Sequence, residues 1–408
     1  MKPVKFLLAS LLFFIALFQL VAQTPEKTIS GISSERLKRY ENFIKAEIDH
    51  GNIPGAVSLI VRNGTVVNKG SYGYNNLESK TPMKADDLFY IQSMTKPIIT
   101  VAFMMLYEEG HFLLTDPVSK YIPAFKDLRV AKNVKDGMNG ETDPMTKEIT
   151  IAQLLSHTSG LSHGLGPSQL DKDFMKEYFR KEWPDIKSRV ASITKLPLAG
   201  QPGNQWNYSA APDVLSALIE QFSGMSTNDF LIARIFNPLG MKDTGYNLSK
   251  AQQSRVVKLC SRNADGVLSH SAHQPQMEGN TIWSGVNGLF STAADYMTFC
   301  QMLLNGGKWN GKQFLSRKTI ELMTSNHAGK LFDRLGEGFG LGFAVMVDVA
   351  ESKLLGSNGM FYWGGAYNTH FFIDPKEKMI SVFMTQEEPF TFFYHDKMRQ
   401  LVYQAITD

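Results

Sequence analysis

A serine and a lysine one helical turn apart, Ser93-Met94-Thr95-Lys96, open an apolar run through Ile98, Ile99, Val101, Phe103, Met104 and Leu106. Residues three apart share a helix face, so the lysine amine can reach the serine hydroxyl. The chemistry on offer is nucleophilic catalysis: the hydroxyl must lose its proton as it attacks, and an amine can take it. That amine must be uncharged part of the time, and burial in an apolar helix lowers a lysine's pKa in the required direction. Pro97 is compatible with this placement, because the first turn of a helix offers no acceptor for the N–H that proline lacks. A serine at the helix N-terminus also has free backbone N–H groups beside any developing negative charge.

The surrounding elements must hold that pair. Residues 33–48 predict a helix, with Leu37, Tyr40, Ile44 and Ile48 at helical spacing. Residues 55–74 predict two strands: Val57, Leu59 and Val61 alternate ahead of Asn63-Gly64, a dipeptide suited to a tight hairpin. The Ser93 helix is expected to end at Gly110, and its apolar residues point in nearly every direction, as in a helix sandwiched inside the protein. Residues 130–147 read as a long exposed loop, and helical patterns follow from 151 to about 239. Glycine-rich segments lie at 285–288 and 336–342. Phe371-Phe372-Ile373 and residues 379–384 then predict a strand hairpin, and Met398, Leu401, Val402, Ala405 and Ile406 a closing amphipathic helix. Strands at both ends with helices between predict an α/β fold, an antiparallel sheet flanked by helices with an inserted all-helical region. The expected division is one domain over 23–408, its α/β layer from about 30–125 and 285–408 and its helical insertion from about 126–284.

Composition excludes several classes. Lys2 and Lys5 precede an apolar stretch over 6–21, and Ala22-Gln23 offers a small-residue cleavage point, so residues 1–22 are expected to be an export signal and the protein periplasmic or secreted. No later run is long enough to cross a bilayer. With those two lysines removed, 40 basic residues face 39 acidic ones, and nothing recruits nucleic acid. Two cysteines, Cys260 and Cys300, permit at most one disulfide and are expected as free buried thiols. His270 and His273 are three apart, but the segment 269–274 reads as loop and no acidic partner has ligand spacing, so neither a metal nor another cofactor is expected.

Further segments accompany Ser93-x-x-Lys96 in a particular order. Leu88-Phe89-Tyr90-Ile91-Gln92-Ser93-Met94-Thr95-Lys96-Pro97 is followed by Leu114-Thr115-Asp116-Pro117-Val118, and by Ile151-Ala152-Gln153-Leu154-Leu155-Ser156-His157-Thr158-Ser159-Gly160-Leu161. Then come Pro202-Gly203-Asn204-Gln205-Trp206-Asn207-Tyr208-Ser209, Phe236-Asn237-Pro238-Leu239-Gly240-Met241 and Gly288-Leu289-Phe290-Ser291-Thr292. In these stretches the chain resembles the class C β-lactamase-like serine hydrolases, which include lactamases, D-alanyl-D-alanine carboxypeptidases, family VIII carboxylesterases and certain acyltransferases. The resemblance runs from Pro54-Gly55 to the last helix. It implies that Tyr208 is the catalytic tyrosine, with a phenol pKa lowered by a nearby lysine ammonium. It also implies that the backbone N–H groups of Ser93 and Ala366 form an oxyanion hole, and that His157 hydrogen-bonds the backbone to shape the floor of the site.

Two departures refine that expectation. Where lactamases and carboxypeptidases carry a cation, this chain has Trp363-Gly364-Gly365-Ala366, a form similar to that of the esterase and acyltransferase members. Tryptophan brings apolar area and one N–H donor, so a substrate carboxylate should bind poorly and an uncharged ester should not suffer. Trp363, Gly364 and Gly365 are therefore expected to line the substrate. Ala210 stands where many relatives place an asparagine that holds the lysine, with Asn207 or Asn368 as spatial substitutes. The implied function is a serine hydrolase that cleaves small uncharged carboxylic esters through a Ser93 acyl-enzyme, with acyl transfer as a variant. The rivals are a D-amino-acid peptidase, carboxypeptidase or weak β-lactamase and, because of Ala210, a non-catalytic binding protein on the same scaffold.

Overall fold

Asn63 and Gly64 turn the chain through left-handed backbone, with φ 51° and 73°, and so join β1 (Gly55–Arg62) to β2 (Thr65–Asn76). The computed structural model describes residues 28–408, so the expected export signal lies outside the described residues. The sheet continues through β3 (Thr81–Pro82), β4 (Glu337–Phe339), β5 (Ala344–Met346), β6 (Phe361–Gly364), β7 (His370–Asp374) and β8 (Met379–Met384). These eight strands lie in the order β4-β5-β6-β7-β8-β1-β2-β3, each pair antiparallel. The seam between the two ends of the chain is β8 against β1, from Met379 opposite Arg62 to Met384 opposite Val57.

Five longer helices matter here: α1 (Ser34–Asp49), α2 (Thr95–Glu108), α3 (Ala211–Ser223), α4 (Ala293–Leu304) and α5 (Phe392–Tyr403). The central strands are buried on both faces, so their residues alternate between two cores. Ala56, Ile60, Phe372 and Phe383 pack with Tyr40 and Ile44 of α1 and Met398 and Val402 of α5. Val57, Leu59, Phe371 and Val382 pack on the other face with Ile98, Val101 and Phe103 of α2 and Phe299 of α4. Every residue of α2 from Thr95 to Leu106 is buried. At about 1.5–3 kcal/mol for each large apolar side chain removed from water, that packing fixes the helix on which Ser93 and Lys96 depend. Gly110 follows the helix with φ 82°.

Three expectations need correction. The supposed loop over 130–147 contains a hairpin, Arg129–Ala131 against Thr142–Pro144, whose three-residue strands are too short to show alternation in sequence. Ser269 and His270 belong to a strand, Leu268–His270, paired with Cys260–Arg262. The closing helix stops at Tyr403, and Ala405 and Ile406 pack beyond its end. Cys260 and Cys300 are both buried and free. Among the described residues no helix is long and apolar enough to cross a membrane.

Candidate active site

Ser93 occupies a short 3₁₀ turn, Gln92–Met94, that runs directly into α2. Neighbouring segments fasten this turn: Tyr296 Oη donates to Met94 O at 2.9 Å, and Ile91 N donates to Leu289 O at 3.0 Å. Gln92 holds φ 46°, a left-handed value costly for a residue with a Cβ. His157 (φ 56°) and Asn368 (φ 60°) share that conformation in two other segments around the site. Backbone held in such regions persists only where its surroundings over-determine it, and it concentrates at functional sites.

Lys96 is 2% exposed, and its Nζ lies 3.1 Å from Ser93 Oγ and 2.9 Å from the Val286 carbonyl oxygen. Burial pushes its pKa well below the ordinary lysine value, and the charge of Asp213 opposes that shift only in part. An amine whose uncharged form is favoured by burial thus stands within hydrogen-bonding distance of the hydroxyl. The Val286 backbone is itself held, through its N–H, by Asp213, a fully buried carboxylate in the first turn of α3 that the sequence pattern does not single out. Asp213 accepts hydrogen bonds from Tyr178 Oη (2.6 Å), Ser284 Oγ (2.6 Å) and Val286 N (3.1 Å), and Arg189 Nε lies 3.5 Å away. Gly285 makes this approach sterically feasible, since a Cβ there would collide with the Pro212 carbonyl oxygen. A carboxylate inside an apolar helix start, Ala211-Pro212-Asp213-Val214-Leu215, was the available signal.

Tyr208 sits with its ring centroid 4.4 Å from Lys96 Nζ and 5.4 Å from the Trp363 ring. His157 grips the chain on either side of it: Asn207 N donates to His157 O at 2.8 Å, and Ser209 N donates to His157 Nδ1 at 3.3 Å. The lowered phenol pKa expected for Tyr208 is overturned. Burial raises it, against smaller opposing influences from the Ser93 hydroxyl and the Trp363 indole. Neither of those groups makes a hydrogen bond of ordinary geometry with Tyr208 Oη, so burial prevails. The expectation rested on a lysine ammonium beside the ring, whereas burial pushes the Lys96 pKa well down, toward the uncharged amine. Asn207 and Asn368 do not replace the missing asparagine at 210. Asn207 Nδ2 donates to Leu161 O at 2.7 Å, and Asn368 Nδ2 to the Glu387 carboxylate at 2.6 Å.

The Trp363–Ala366 segment leaves β6 and crosses in front of the nucleophile. A Cβ on Gly365 would collide with the Ile91 carbonyl oxygen, so only glycine lets this segment touch the Ser93 turn. Among the described residues the backbone N–H groups of Ser93 and Ala366 have no acceptor. Both residues line one cavity of about 590 Å³, together with Tyr208, Trp363, Gly364 and Gly365. Its walls include Leu165, Trp206, Phe332, Phe390 and Phe392. No cationic side chain stands at the position of Trp363, and Arg334, the one arginine lining the cavity among the described residues, is paired with Asp396 at 3.0 Å and Glu337 at 2.9 Å. Among the described residues no cluster of three or more His, Cys, Asp or Glu side chains could hold a metal ion. His270 instead lies 3.2 Å from Glu78.

An eight-stranded antiparallel sheet, a Ser-x-x-Lys pair with a buried lysine at the start of a central helix and a tyrosine over that lysine define a serine hydrolase of the β-lactamase and transpeptidase fold. The chain belongs to the beta-lactamase family, whose model matches residues 40–405. It is 31% identical over 360 residues to an uncharacterized protein of Mycobacterium tuberculosis, covering 85% of this chain and 89% of that one. Esterase EstB of Burkholderia gladioli is 27% identical over 341 residues, 78% of this chain and 82% of its own. Among solved structures, EstCE1, a hydrolase with promiscuous acyltransferase activity, superposes with a TM-score of 0.77 at 27% identity, over 91% of this chain and 99% of that one.

Proposed function

We propose that this protein is an exported carboxylesterase that cleaves small uncharged esters through a Ser93 acyl-enzyme. The observation that carries the reading is the buried Lys96, its pKa pushed down by burial, at 3.1 Å from Ser93 Oγ beside a cavity walled by Trp363 rather than by a cation. Ser93 Oγ attacks the ester carbonyl carbon while Lys96 Nζ takes its proton. The backbone N–H groups of Ser93 and Ala366 receive the oxyanion of the tetrahedral intermediate. Tyr208, kept as a protonated phenol by burial, donates its proton to the departing alkoxide and recovers one from the Lys96 ammonium. Water then attacks the acyl-enzyme by the reverse sequence, and an alcohol in its place completes an acyl transfer.

The similarity to Esterase EstB supports an ester substrate, and that to EstCE1 supports acyl transfer as a variant. The absence, among the residues lining the cavity, of a free positive charge to attract a substrate carboxylate also favours an uncharged ester. Export rests on the basic and apolar pattern of residues 1–22 and is checked by N-terminal sequencing of protein recovered from an envelope fraction. The catalytic reading is tested with short p-nitrophenyl esters: wild type should turn them over, and Ser93→Ala should fall to background. Equal rates in the two proteins would remove Ser93 from the chemistry.

A further inference from the structure

Beyond Trp363, the cavity meets a group of buried polar atoms that the hydrolytic machinery does not use. His370 (3% exposed) lies opposite Gly364 in the β6–β7 pair, and His395 (5% exposed) reaches in from the first turn of α5. Their ring centroids are 5.3 Å apart, and both line the same cavity as Ser93. Among the described residues the Nε2 atom of each has no hydrogen-bond partner, and neither has the hydroxyl of fully buried Thr369 in the same wall. Buried polar atoms left unpaired are costly, and where several converge on one cavity a ligand group is the natural partner.

The chemistry of the patch specifies that group. His395 Nδ1 lies 3.2 Å from the Asp396 carboxylate, an acceptor that Arg334 also holds, so the ring proton belongs on Nδ1. Nε2 then carries a lone pair that lacks a partner and calls for a donor. Burial holds both imidazoles neutral. The nearby charges cancel, because Arg334 and Arg399 are paired with Asp396 and Glu337, so a charged ligand finds no free counter-charge. Phe390 and Phe392 complete the wall around the patch, and a Cβ on Gly364 would lie 3.8 Å from both His370 Cβ and Phe390 Cε2. His163 shows the contrast: its nitrogens are also unpaired, but it is stacked between Tyr208 and Phe179 and does not line the cavity.

We propose that His370, His395 and Thr369 form a recognition site for a neutral hydrogen-bond donor, a hydroxyl or amide N–H, carried on an apolar arm of the substrate. This rests on the ester reading for the identity of the substrate, but not for the existence of the site. The test uses non-hydrolysable ketones on the Ser93→Ala protein: ω-hydroxy-2-alkanones of about four to ten carbons against chain-matched ketones ending in methyl, titrated by calorimetry. One chain length of the hydroxylated series should bind about tenfold more tightly than its methyl partner, the worth of one buried hydrogen bond. His395→Phe and His370→Phe, each confirmed folded by thermal melting, should bring the two affinities together. Equal affinity for both series at every length in the Ser93→Ala protein would overturn the proposal, whether or not the histidine variants fold. So would a preference that survives both substitutions. Discrimination between ketones without ester turnover by wild type would refute the esterase and leave the recognition site standing; turnover without discrimination would do the reverse.

Discussion

Replacing Asp213 by asparagine preserves shape and removes one buried negative charge, and the network around it sets the size of the effect. The oxygen of the new amide can still accept from Ser284 and Val286, but its nitrogen faces Tyr178 Oη and Arg189. The Arg189 guanidinium loses the one counter-charge it has within 4.0 Å among the described residues. Losing a hydrogen bond to a charged group and part of an ion pair should cost about 2–4 kcal/mol. In a chain of this length that corresponds to a melting point lower by about 2–5 °C. The Val286 carbonyl that orients Lys96 is loosened, and a displacement near 1 Å can cost up to about 100-fold in rate, so kcat should fall about 10- to 100-fold. The pH profile separates this from simple damage. Neutral Lys96 is the active form, so activity rises as pH climbs through its pKa, and Asp213 is the charge that holds this pKa up against burial. Removing that charge should move the acidic limb of kcat/KM for a p-nitrophenyl ester to lower pH. A fall in kcat with the limb unmoved, or moved upward, would refute the assignment of Asp213 as a positioning residue for Lys96.

Lys96→Met should abolish turnover yet raise the melting point near neutral pH. In wild type the unfolded chain binds a proton that the folded chain refuses, which costs stability below the unfolded pKa of lysine; the gain over wild type should therefore shrink as pH approaches that value. Gly365→Ala drives a Cβ into the Ile91 carbonyl oxygen and should lower both stability, by about 1–3 kcal/mol, and kcat, as read by calorimetry and ester turnover. Trp363→Lys should shift relative kcat/KM from a neutral p-nitrophenyl ester toward nitrocefin or a D-Ala-D-Ala peptide, because it supplies the free cation that the cavity lacks. Tyr208→Phe should slow release of poor alkoxide leaving groups far more than release of p-nitrophenolate, which needs no proton; equal losses for both would deny Tyr208 the role of acid.

Much of this architecture is legible in the residue pattern alone. Alternation at Val57, Leu59 and Val61, the Asn63-Gly64 turn and the all-round apolar character of α2 are local consequences of strand and helix period, and each appears as expected. Strands at both ends of the chain implied a shared sheet, but the register of β8 on β1 joins residues more than 300 positions apart, and no local pattern encodes it. The Ser93–Lys96 contact follows from helix geometry alone. What the pattern hides depends on burial and long-range pairing. Asp213 looks like an ordinary helix-start acid until Ser284 and Val286 close over it, and the Tyr208 phenol moves up rather than down because burial outweighs its polar neighbours. His370 and His395 converge only because the strand β7 and helix α5 meet at one wall of the cavity.

Activation of Ser93 as a nucleophile by a neutral lysine is tested most directly by peptide-mapped mass spectrometry after exposure to a fluorophosphonate. A single phosphonyl adduct on Ser93 is expected, formed faster as pH rises and lost in Lys96→Met. No adduct, an adduct on another residue, or undiminished labelling of Lys96→Met would contradict that activation.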